Sequence, residues 1–305
     1  MTSRRTKRME PVENALKLRR LIVNADDFGC SEEVNEAIIR AYNEGVLTST
    51  SLMVTGSAFD HAVRLASENP GLGVGIHLVT VMGRCVLPPS EIPSLVDLQG
   101  NFSNSPMKAG LKYFFSKRAR RELGLELAAQ FEKFKSTGLP LSHVDSHLHM
   151  HIHPVIFRDV LELAAKYGAR HMRVPVEERA LALKFDSRNR ASKTIMSLLF
   201  GALAWYMKPK LRSRGFVFPE RVYGNLQSGR ITERYFLYAL DNLEAECNEI
   251  YCHPAVYQRS RRLSRDQEQC QVEFEALISA SVAQKIKATR LRLASYRDLD
   301  LDPAR

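Results

Sequence analysis

The sequence predicts an α/β fold, a distorted and incomplete (β/α) barrel of about seven strands. Short apolar segments alternate with amphipathic helical segments, which is typical of parallel strands joined by right-handed helical crossovers. Four predicted strands run into acidic or histidine side chains: Asp26 with Asp27, His77, a cluster that begins at His143, and His253. Because α/β enzymes keep their catalytic groups at the carboxyl ends of parallel strands, this placement indicates a metal-dependent hydrolase.

Hydrophobic periodicity and turn residues define the predicted elements. Strands are expected at residues 21–24, 49–54, 72–78, 141–146, 171–174, 249–252 and 291–295. Ser31 is expected to cap the first helix, with Glu32 and Glu33 placed to complement the helix dipole, and Gly45 to end it. Further helices are expected at residues 58–67, 118–135, 154–167, 232–243 and 267–280.

We expect a single domain over residues 1–305, without internal repeats but with two insertions. The first, about residues 82–106, contains four prolines and is expected to be an extended loop beside the end of the third strand. The second, about residues 179–221, contains ten Lys and Arg residues and only two acids. It therefore carries most of the net charge of +10 and favours an anionic partner, either a membrane surface or a polyanion.

Composition limits the cellular setting. The chain is 45% hydrophobic and 26% charged, and no apolar run reaches the roughly 18–20 residues that span a bilayer. Residues 1–20 are basic but are not followed by an apolar h-region, so we expect a cytoplasmic protein without a signal peptide. The five cysteines are odd in number and lack CxxC spacing, which favours reduced thiols over a disulfide framework.

The second insertion contains a possible membrane contact. Residues 194–207 are mostly apolar and include the only tryptophan, Trp205, followed by Lys208, Lys210, Arg212 and Arg214. Such a segment is too short to span, but it could lie in the interface while each basic residue contributes about 1 kcal/mol near anionic lipid. We therefore expect peripheral contact with the inner face of the membrane. A buried helix that covers the barrel, or a homodimer contact, is the alternative.

The histidine cluster is the strongest chemical signal. Five of the eleven residues 143–153 are histidines, and every odd-numbered position is His or Asp. Side chains alternate between the two faces of a strand, so this pattern predicts one polar, metal-binding face. Because eleven residues exceed a typical strand, we expect the pattern to break into a loop or helix start before Pro154. Spacing alone leaves open which histidine is a ligand.

The other strand ends complete the predicted site. Adjacent carboxylates at Asp26 and Asp27 repel unless a cation or proton separates them, so one can bind a metal while its neighbour acts as a base. A turn with a helix cap is the alternative for this pair. His77 would complete an Asp-His-His ligand set that leaves positions open for water and substrate. His253, the only histidine in the last 130 residues, is the candidate general acid.

These residues resemble a known family, the YdjC-like carbohydrate deacetylases, which are related to the NodB-type polysaccharide deacetylases. Residues 22–29 (Ile-Val-Asn-Ala-Asp-Asp-Phe-Gly), 46–50, 75–78, 143–149 and 251–255 carry the resemblance in order along the chain. The resemblance implies a distorted (β/α) barrel that removes acetyl from N-acetylated sugars. Within the family, residues 87–97 and the basic insertion resemble the hopanoid-biosynthesis-associated branch, whose expected substrate is an N-acetylglucosaminyl hopanoid.

The resemblance also implies roles for individual residues. Asp27, His77 and His147 would hold one divalent metal ion, Mg²⁺ or Zn²⁺. Asp26 would be the general base, and His253 would protonate the leaving amine. Four further residues are expected to contact substrate: Asn24, Asp145, His149 and His151.

Other functions remain open from the sequence. A soluble chitooligosaccharide is the alternative substrate to a glycolipid. A two-metal phosphoesterase would need further bridging carboxylates at strand ends, and few are present. A non-enzymatic protein that binds membranes or nucleic acid would suit the pI of about 9.4, but the basic insertion has no recognisable nucleic-acid motif, and no nucleic acid is expected.

Overall fold

The centre of the protein is one parallel sheet, seen in a computed structural model that describes residues 19–258 and 262–301. Its strands are β1 (Arg19–Phe28), β2 (Ser49–Leu52), β3 (Gly73–Leu78), β4 (Val144–Ser146), β5 (Arg221–Tyr223), β6 (Cys247–Cys252) and β7 (Leu291–Leu293). The order is β4-β3-β2-β1-β6-β5, and β7 pairs with the first residues of β1. All the pairings between these strands are parallel. The carboxyl ends therefore collect at one edge, as the sequence predicts.

Ten α-helices surround the sheet in the described part of the chain. They are α1 (Glu32–Glu44), α2 (Phe59–Glu68), α3 (Pro106–Phe115), α4 (Lys117–Ser136), α5 (Pro154–Lys166), α6 (Arg179–Phe185), α7 (Arg190–Ser213), α8 (Glu233–Asn242), α9 (Arg265–Leu277) and α10 (Ala280–Ala288). Ser31 caps α1 as predicted, because its side chain accepts a hydrogen bond from the backbone N–H of Val34. The predicted α/β fold with a seven-stranded parallel sheet is confirmed.

The barrel is closed irregularly between β4 and β5. The predicted strand at residues 171–174 forms only isolated bridges, Val144 with Met172 and His171 with Val217, so the prediction of a regular strand there is wrong. The backbone N–H of Val222 also donates to the carbonyl of Val176. Pro175 has no N–H to contribute to a ladder, which interrupts the pairing.

The interior of the barrel is polar towards its carboxyl end. Ile22 belongs to a small buried cluster with Tyr296, whereas Leu21, Val23 and Ala25 belong to the large outer core beneath the helices. Because side chains alternate along a strand, Asn24 and Asp26 share the inward face of β1 with Ile22. Several fully buried charged or polar side chains lie in the described chain, including His143, Asp145, Arg173 and Glu249.

The predicted loop at residues 82–106 contains no helix or strand until α3 begins, and side chains of α4 hold it in place. Gln130 donates to the carbonyl of Val79 and accepts from its N–H. Glu126 accepts from the backbone N–H groups of residues 86 and 87, at 2.9 and 3.0 Å, and Glu122 accepts from both the N–H and the hydroxyl of Ser94. Buried carboxylates thus replace the backbone partners that a proline-rich loop lacks.

Three further boundaries differ from the sequence-based prediction. Helix α3 was not predicted, although Ser105 caps it and Pro106 occupies its first turn. The basic insertion at residues 179–221 contains α6 and α7 and reaches β5, a three-residue strand that sequence patterns missed. The predicted helix at residues 267–280 is two helices, because Ser279 caps the second one.

The remaining predictions concern membrane-spanning segments, disulfides and the basic amino-terminal segment. No helix among the described residues is long and apolar enough to cross a membrane. The five cysteines form no disulfide within the part of the chain that the structure describes. Residues 1–18, which carry most of the basic amino-terminal segment, lie outside the described residues.

Gly75 provides a test of the packing inside the barrel. A Cβ at this position would lie 2.5 Å from two atoms of the buried His143 ring. That ring stacks on Tyr296 with 3.9 Å between centroids, so it has little room to move. We expect Gly75→Ala to lower the free energy of unfolding by about 1–3 kcal/mol, measured by urea denaturation.

Gly201 is the matched control, because it lies within α7 and a Cβ there meets nothing within 4 Å. Gly201→Ala is expected to raise the free energy of unfolding by about 0.5–1 kcal/mol. Equal stability of Gly75→Ala and the unmodified protein would contradict the packing described here.

Candidate metal centre

A β-bulge brings two neighbouring carboxylates to the same side of β1. Ala25 pairs with Thr50 and Phe28 with Leu52, so β1 uses one residue more than β2 over this stretch. Asp27 has a positive φ of 66°, which is uncommon for a residue with a side chain. Adjacent strand residues normally point to opposite faces, and a bulge re-aims them. Asp26 and Asp27 can therefore both reach the end of the barrel.

Asp27, His77 and His147 converge at the strand ends. Asp27 Oδ1 lies 3.3 Å from His77 Nε2 and 3.1 Å from His147 Nδ1. One ligand atom from each residue lies within 4.8 Å of the other two. His77 is buried, whereas the side chains of Asp27 and His147 are partly exposed. The three residues thus form a cluster that is open to solvent on one side.

Asp145 orients His77 within this cluster. His77 Nδ1 donates to Asp145 Oδ1 at 2.7 Å, which leaves Nε2 facing Asp27. The other oxygen of Asp145 accepts from the hydroxyl of Ser51 at 2.7 Å. A carboxylate behind a histidine is the usual partner of a metal-bound imidazole, because it fixes the ring and raises its basicity.

The electrostatics of the cluster favour a cation. Burial would raise the pKa of Asp27, but hydrogen bonds from His147 and His77 outweigh it and hold the pKa well below its usual value. Burial would lower the pKa of His77, but the charge and hydrogen bond of Asp145 raise it to about 10. The site therefore attracts a positive charge, and a metal ion that binds His77 Nε2 must displace a proton from it.

His147 is presented by a tight turn that directly follows β4. Residues 147–152 form a 3-10 turn, as expected from the break predicted in the histidine pattern. Leu148 and His149 both have positive φ values, 52° and 55°. Consecutive left-handed residues with side chains are strained and cluster at functional sites. The turn ends the strand alternation and directs the side chain of His147 towards Asp27.

Arg173 is the buried counter-ion of the centre. Its guanidinium binds both oxygens of Asp26, each at 2.8 Å. It also lies 2.8 Å from Asp145 Oδ2 and 2.7 Å from Glu249 Oε1, and its Cζ lies 4.7 Å from the ring centre of Tyr251. One fully buried arginine thus fixes the base candidate, the carboxylate behind His77, and a third acid.

Glu249 is held from its other side by Tyr296, whose hydroxyl donates to Oε2 at 2.5 Å. Burial raises the pKa of Glu249, and the charge of Arg173 opposes that effect. For Arg173 itself, burial favours the neutral form, but the charges of Asp145 and Asp26 raise its pKa well above the usual value. Arg173 therefore stays charged inside the barrel.

His253 lies beside β1, one residue past the end of β6. The register pairs Ala25 with Cys252, so His253 is level with Asp26. Its backbone N–H donates to Glu273 Oε2 at 2.6 Å, and its ring Nδ1 lies 3.9 Å from the same oxygen. The side chain is 29% exposed. A carboxylate behind a partly exposed imidazole suits a group that has to carry a proton.

The residues expected to contact substrate have different surroundings. Asn24 donates to Asp26 Oδ1, and its own side-chain oxygen has no hydrogen-bond partner in the described chain. His149 Nε2 lies 3.0 Å from the hydroxyl of Tyr251, and its Nδ1 has no partner among the described residues. Asn24 Oδ1 and His149 Nδ1 are therefore available to form a hydrogen bond with a bound molecule.

By contrast, the polar side-chain atoms of Asp145 and His151 already form hydrogen bonds within the protein. Asp145 is fully buried behind His77. Both ring nitrogens of His151 are engaged, one with the hydroxyl of Ser146 at 2.7 Å and one with the carbonyl of Arg173 at 3.0 Å. These two residues support the turn and the metal-binding cluster from behind.

Sequence reasoning missed Arg173, Glu249 and Ser51. A single arginine within the apolar segment at residues 171–174 was the available signal for Arg173. Glu249 starts the predicted strand at residues 249–252, where an acid in an otherwise apolar strand indicates a buried partner. Ser51 offers no such signal, because hydroxyl residues are common in strands.

An apolar groove of about 730 Å³ opens beside the centre. Residues of α3 and α7 form its walls, and the turn that follows His147 lies between them. Its lining includes Leu111, Phe114, Leu148, Phe200 and Leu203. Two of its lining residues, Leu148 and His149, directly follow the candidate ligand His147 in the chain.

Comparison with known proteins gives consistent results. The sequence model of the YdjC-like protein family matches residues 20–288. A carbohydrate deacetylase from Clostridium beijerinckii is 31% identical over 285 residues, which cover 92% of this chain and all of that protein. A chitooligosaccharide deacetylase from Salmonella paratyphi B is 35% identical over 92% of this chain and 99% of its own length.

Two further relatives extend the comparison. A carbohydrate deacetylase from Brevibacillus brevis is 48% identical over 157 residues, which span 52% of this chain and 58% of that protein. The crystal structure of an Enterococcus faecalis protein, described as a cellobiose-phosphate cleavage protein, is 27% identical and covers 92% of this chain and 98% of its own, with a TM-score of 0.70. This chain therefore belongs to the YdjC-like protein family.

Proposed function

We propose that this protein is a metal-dependent N-deacetylase that removes acetyl from an N-acetylglucosamine-type sugar. The convergence of Asp27, His77 and His147 at the strand ends, with Asp26 and His253 alongside, carries the proposal. The relatives named carbohydrate deacetylase and chitooligosaccharide deacetylase support it, because they align with nearly the whole chain.

Asp27, His77 and His147 would hold one divalent ion, which when bound polarises the acetyl carbonyl and lowers the pKa of water at the site. One carboxylate and two imidazoles suit this role, because the cluster is open to solvent on one side and so leaves room for water and substrate. Imidazole nitrogens favour Zn²⁺, whereas Mg²⁺ prefers oxygen ligands, so we propose zinc before magnesium.

Asp26 would accept the proton of the attacking water on a carboxylate oxygen. Arg173 holds both oxygens of Asp26 and so fixes their direction. Oδ1 also accepts from Asn24, so the proton would go to the lone pair of Oδ2 that Arg173 leaves free. His253 would donate a proton from its ring to the departing amine nitrogen, while Glu273 behind it stabilises the charged imidazole. The products are acetate and a free amino sugar.

We further propose that the acetylated sugar is attached to an apolar lipid of hopanoid type. The apolar groove supports this substrate, because Leu148 next to His147 belongs to its lining and that lining is almost entirely apolar. The relatives named chitooligosaccharide deacetylase favour a soluble sugar as the alternative.

Removal of either histidine ligand is expected to abolish metal binding. In His77→Ala or His147→Ala, two protein ligands remain, too few for a stable site. Elemental analysis of the purified variants should show less than about one tenth of the normal metal content. His61→Ala is the matched control, because His61 lies on α2 and contacts Asn35 instead of the cluster. Normal metal content in His77→Ala would contradict the ligand assignment.

Asp26→Asn is expected to retain the metal but to lower kcat by roughly 10²–10⁴-fold, because an amide cannot accept the proton from water. Metal content, measured on the same sample, separates this loss from a loss of the site. Arg173→Lys keeps one positive charge but loses the paired hydrogen bonds to Asp26, so kcat should fall while the metal stays bound. Near-normal turnover in Asp26→Asn would remove Asp26 from the mechanism.

The substrate is tested by measuring acetate release from N-acetylglucosaminyl hopanoid and from N,N′-diacetylchitobiose. We expect a kcat/KM at least roughly tenfold higher for the glycolipid, because its apolar part fills the groove. Leu203→Asp, which places a charge in the groove, should reduce only the glycolipid reaction. Equal kcat/KM values would exclude the lipid part of the proposal, and the absence of acetate from both substrates would contradict the deacetylase itself.

A further inference from the structure

The large apolar side chains exposed in the described chain are concentrated beside the groove. Ten of fifteen lie on α3, on α7 or at Leu148 between them. Phe115 is 74% exposed and Trp205 is 80% exposed. The set, called here the α3–α7 face, comprises Met107, Leu111, Phe114, Phe115, Leu148, Ile195, Met196, Leu198, Leu199 and Trp205. Six of these ten side chains also line the groove and so share one surface: Met107, Leu111, Phe114, Phe115, Leu148 and Leu199. An apolar patch marks an interaction surface, whereas single exposed side chains do not.

The apolar half of α7 is therefore not a buried cover for the barrel. Only Ala204, Met207 and Leu211 are buried along its 24 residues, and all three lie in the second half of the helix. Its first half exposes Ile195, Leu198 and most of its other apolar side chains. Some other partner has to cover this surface.

The two segments that carry the α3–α7 face contain basic residues but no acidic ones. Residues 106–121 contain six Lys and Arg residues and no acid, and residues 190–214 contain another six and no acid. Some are paired at the margins, such as Arg118 with Glu122, Lys193 with Asp186 and Arg214 with Glu162. A partner that covers this face therefore has to be negatively charged as well as apolar.

We propose that the α3–α7 face docks on the surface of an anionic lipid bilayer. Helices that combine exposed apolar side chains with basic residues lie in the plane of the interface, with the apolar side chains below the headgroups and the basic ones at the phosphates. A second copy of the chain fits less well, because a symmetric contact would bring like charges together.

The structure also refines the residues that make this contact. Trp205 is exposed as the sequence suggested, but Lys208 lies against the ring of Phe218 and Arg214 is paired with Glu162. Lys210 and Arg212 lie near the rings of Tyr206 and Phe218, where rotation can free them. Lys108 and Lys112, which the sequence did not single out, add positive charge on α3, and Lys112 also donates to the carbonyl of Ser94 in the loop at residues 82–106.

The test is co-sedimentation of the full chain with vesicles of phosphatidylcholine alone or with one quarter phosphatidylglycerol. We expect binding only to the anionic vesicles, with a loss at high salt. Phe115→Ser with Trp205→Ser should weaken binding by at least roughly tenfold, because both side chains are exposed and contribute apolar area to the interface. Leu98→Ser is the matched control, since Leu98 is 91% exposed but lies in the loop at residues 82–106.

A second pair of variants tests the charge. Lys108→Gln with Lys210→Gln should weaken binding to anionic vesicles, whereas Lys287→Gln with Arg292→Gln, on α10 and β7, should not. Turnover of N,N′-diacetylchitobiose is expected to be unchanged in the three double variants and in Leu98→Ser. If the unmodified protein does not release acetate from N,N′-diacetylchitobiose, the proposed function is contradicted, whereas the docking proposal is not.

Three results would overturn docking: no binding of the unmodified chain to anionic vesicles, equal weakening by Leu98→Ser, or equal binding to neutral vesicles. A dimer in analytical ultracentrifugation that Phe115→Ser with Trp205→Ser converts to a monomer would also overturn it, because the face would then join two copies of the chain.

Discussion

The candidate centre depends on one buried guanidinium. Arg173 contacts Asp26, Asp145 and Glu249 inside the barrel, where an isolated charge would be strongly unfavourable. Of these carboxylates, Asp145 orients His77, and Asp26 lies beside the candidate metal-binding cluster. The arrangement is costly to bury and gains little stability, so its retention is best explained by the geometry that it imposes on the site.

Strained backbone conformations also help to position the side chains of Asp27 and His147. The bulge at Asp27 and the two left-handed residues after His147 each break a regular strand at its carboxyl end. In both places the break turns the side chain of a candidate ligand, Asp27 or His147, towards the other. Strained conformations of this kind persist only where the surrounding structure holds them, and here the buried network below them supplies that support.

Much of the fold and the main cluster follow from the sequence, because parallel strands bring their carboxyl ends together. The acids at the end of β1, His77 and the histidine cluster could therefore be expected to meet, whereas the choice of Asp27 and His147 as ligands came from the family resemblance. Arg173 was not predicted, because an arginine in a short apolar segment indicates at most a buried partner and does not identify the three carboxylates that it contacts. Strand β5 was missed because three residues at the end of a basic segment carry too little periodicity, and α3 was hidden behind the proline-rich loop. The concentration of apolar side chains on α3 and α7 is a tertiary property, so only the α7 part was visible in the sequence.

The most direct test of the central claim is a crystal structure of the protein grown with Zn²⁺, with anomalous diffraction collected on both sides of the zinc edge. The account predicts a single anomalous peak at about 2.0–2.2 Å from Asp27, His77 Nε2 and His147 Nδ1. A peak bound by other residues, or Asp27, His77 and His147 without a peak between them at saturating zinc, would contradict it.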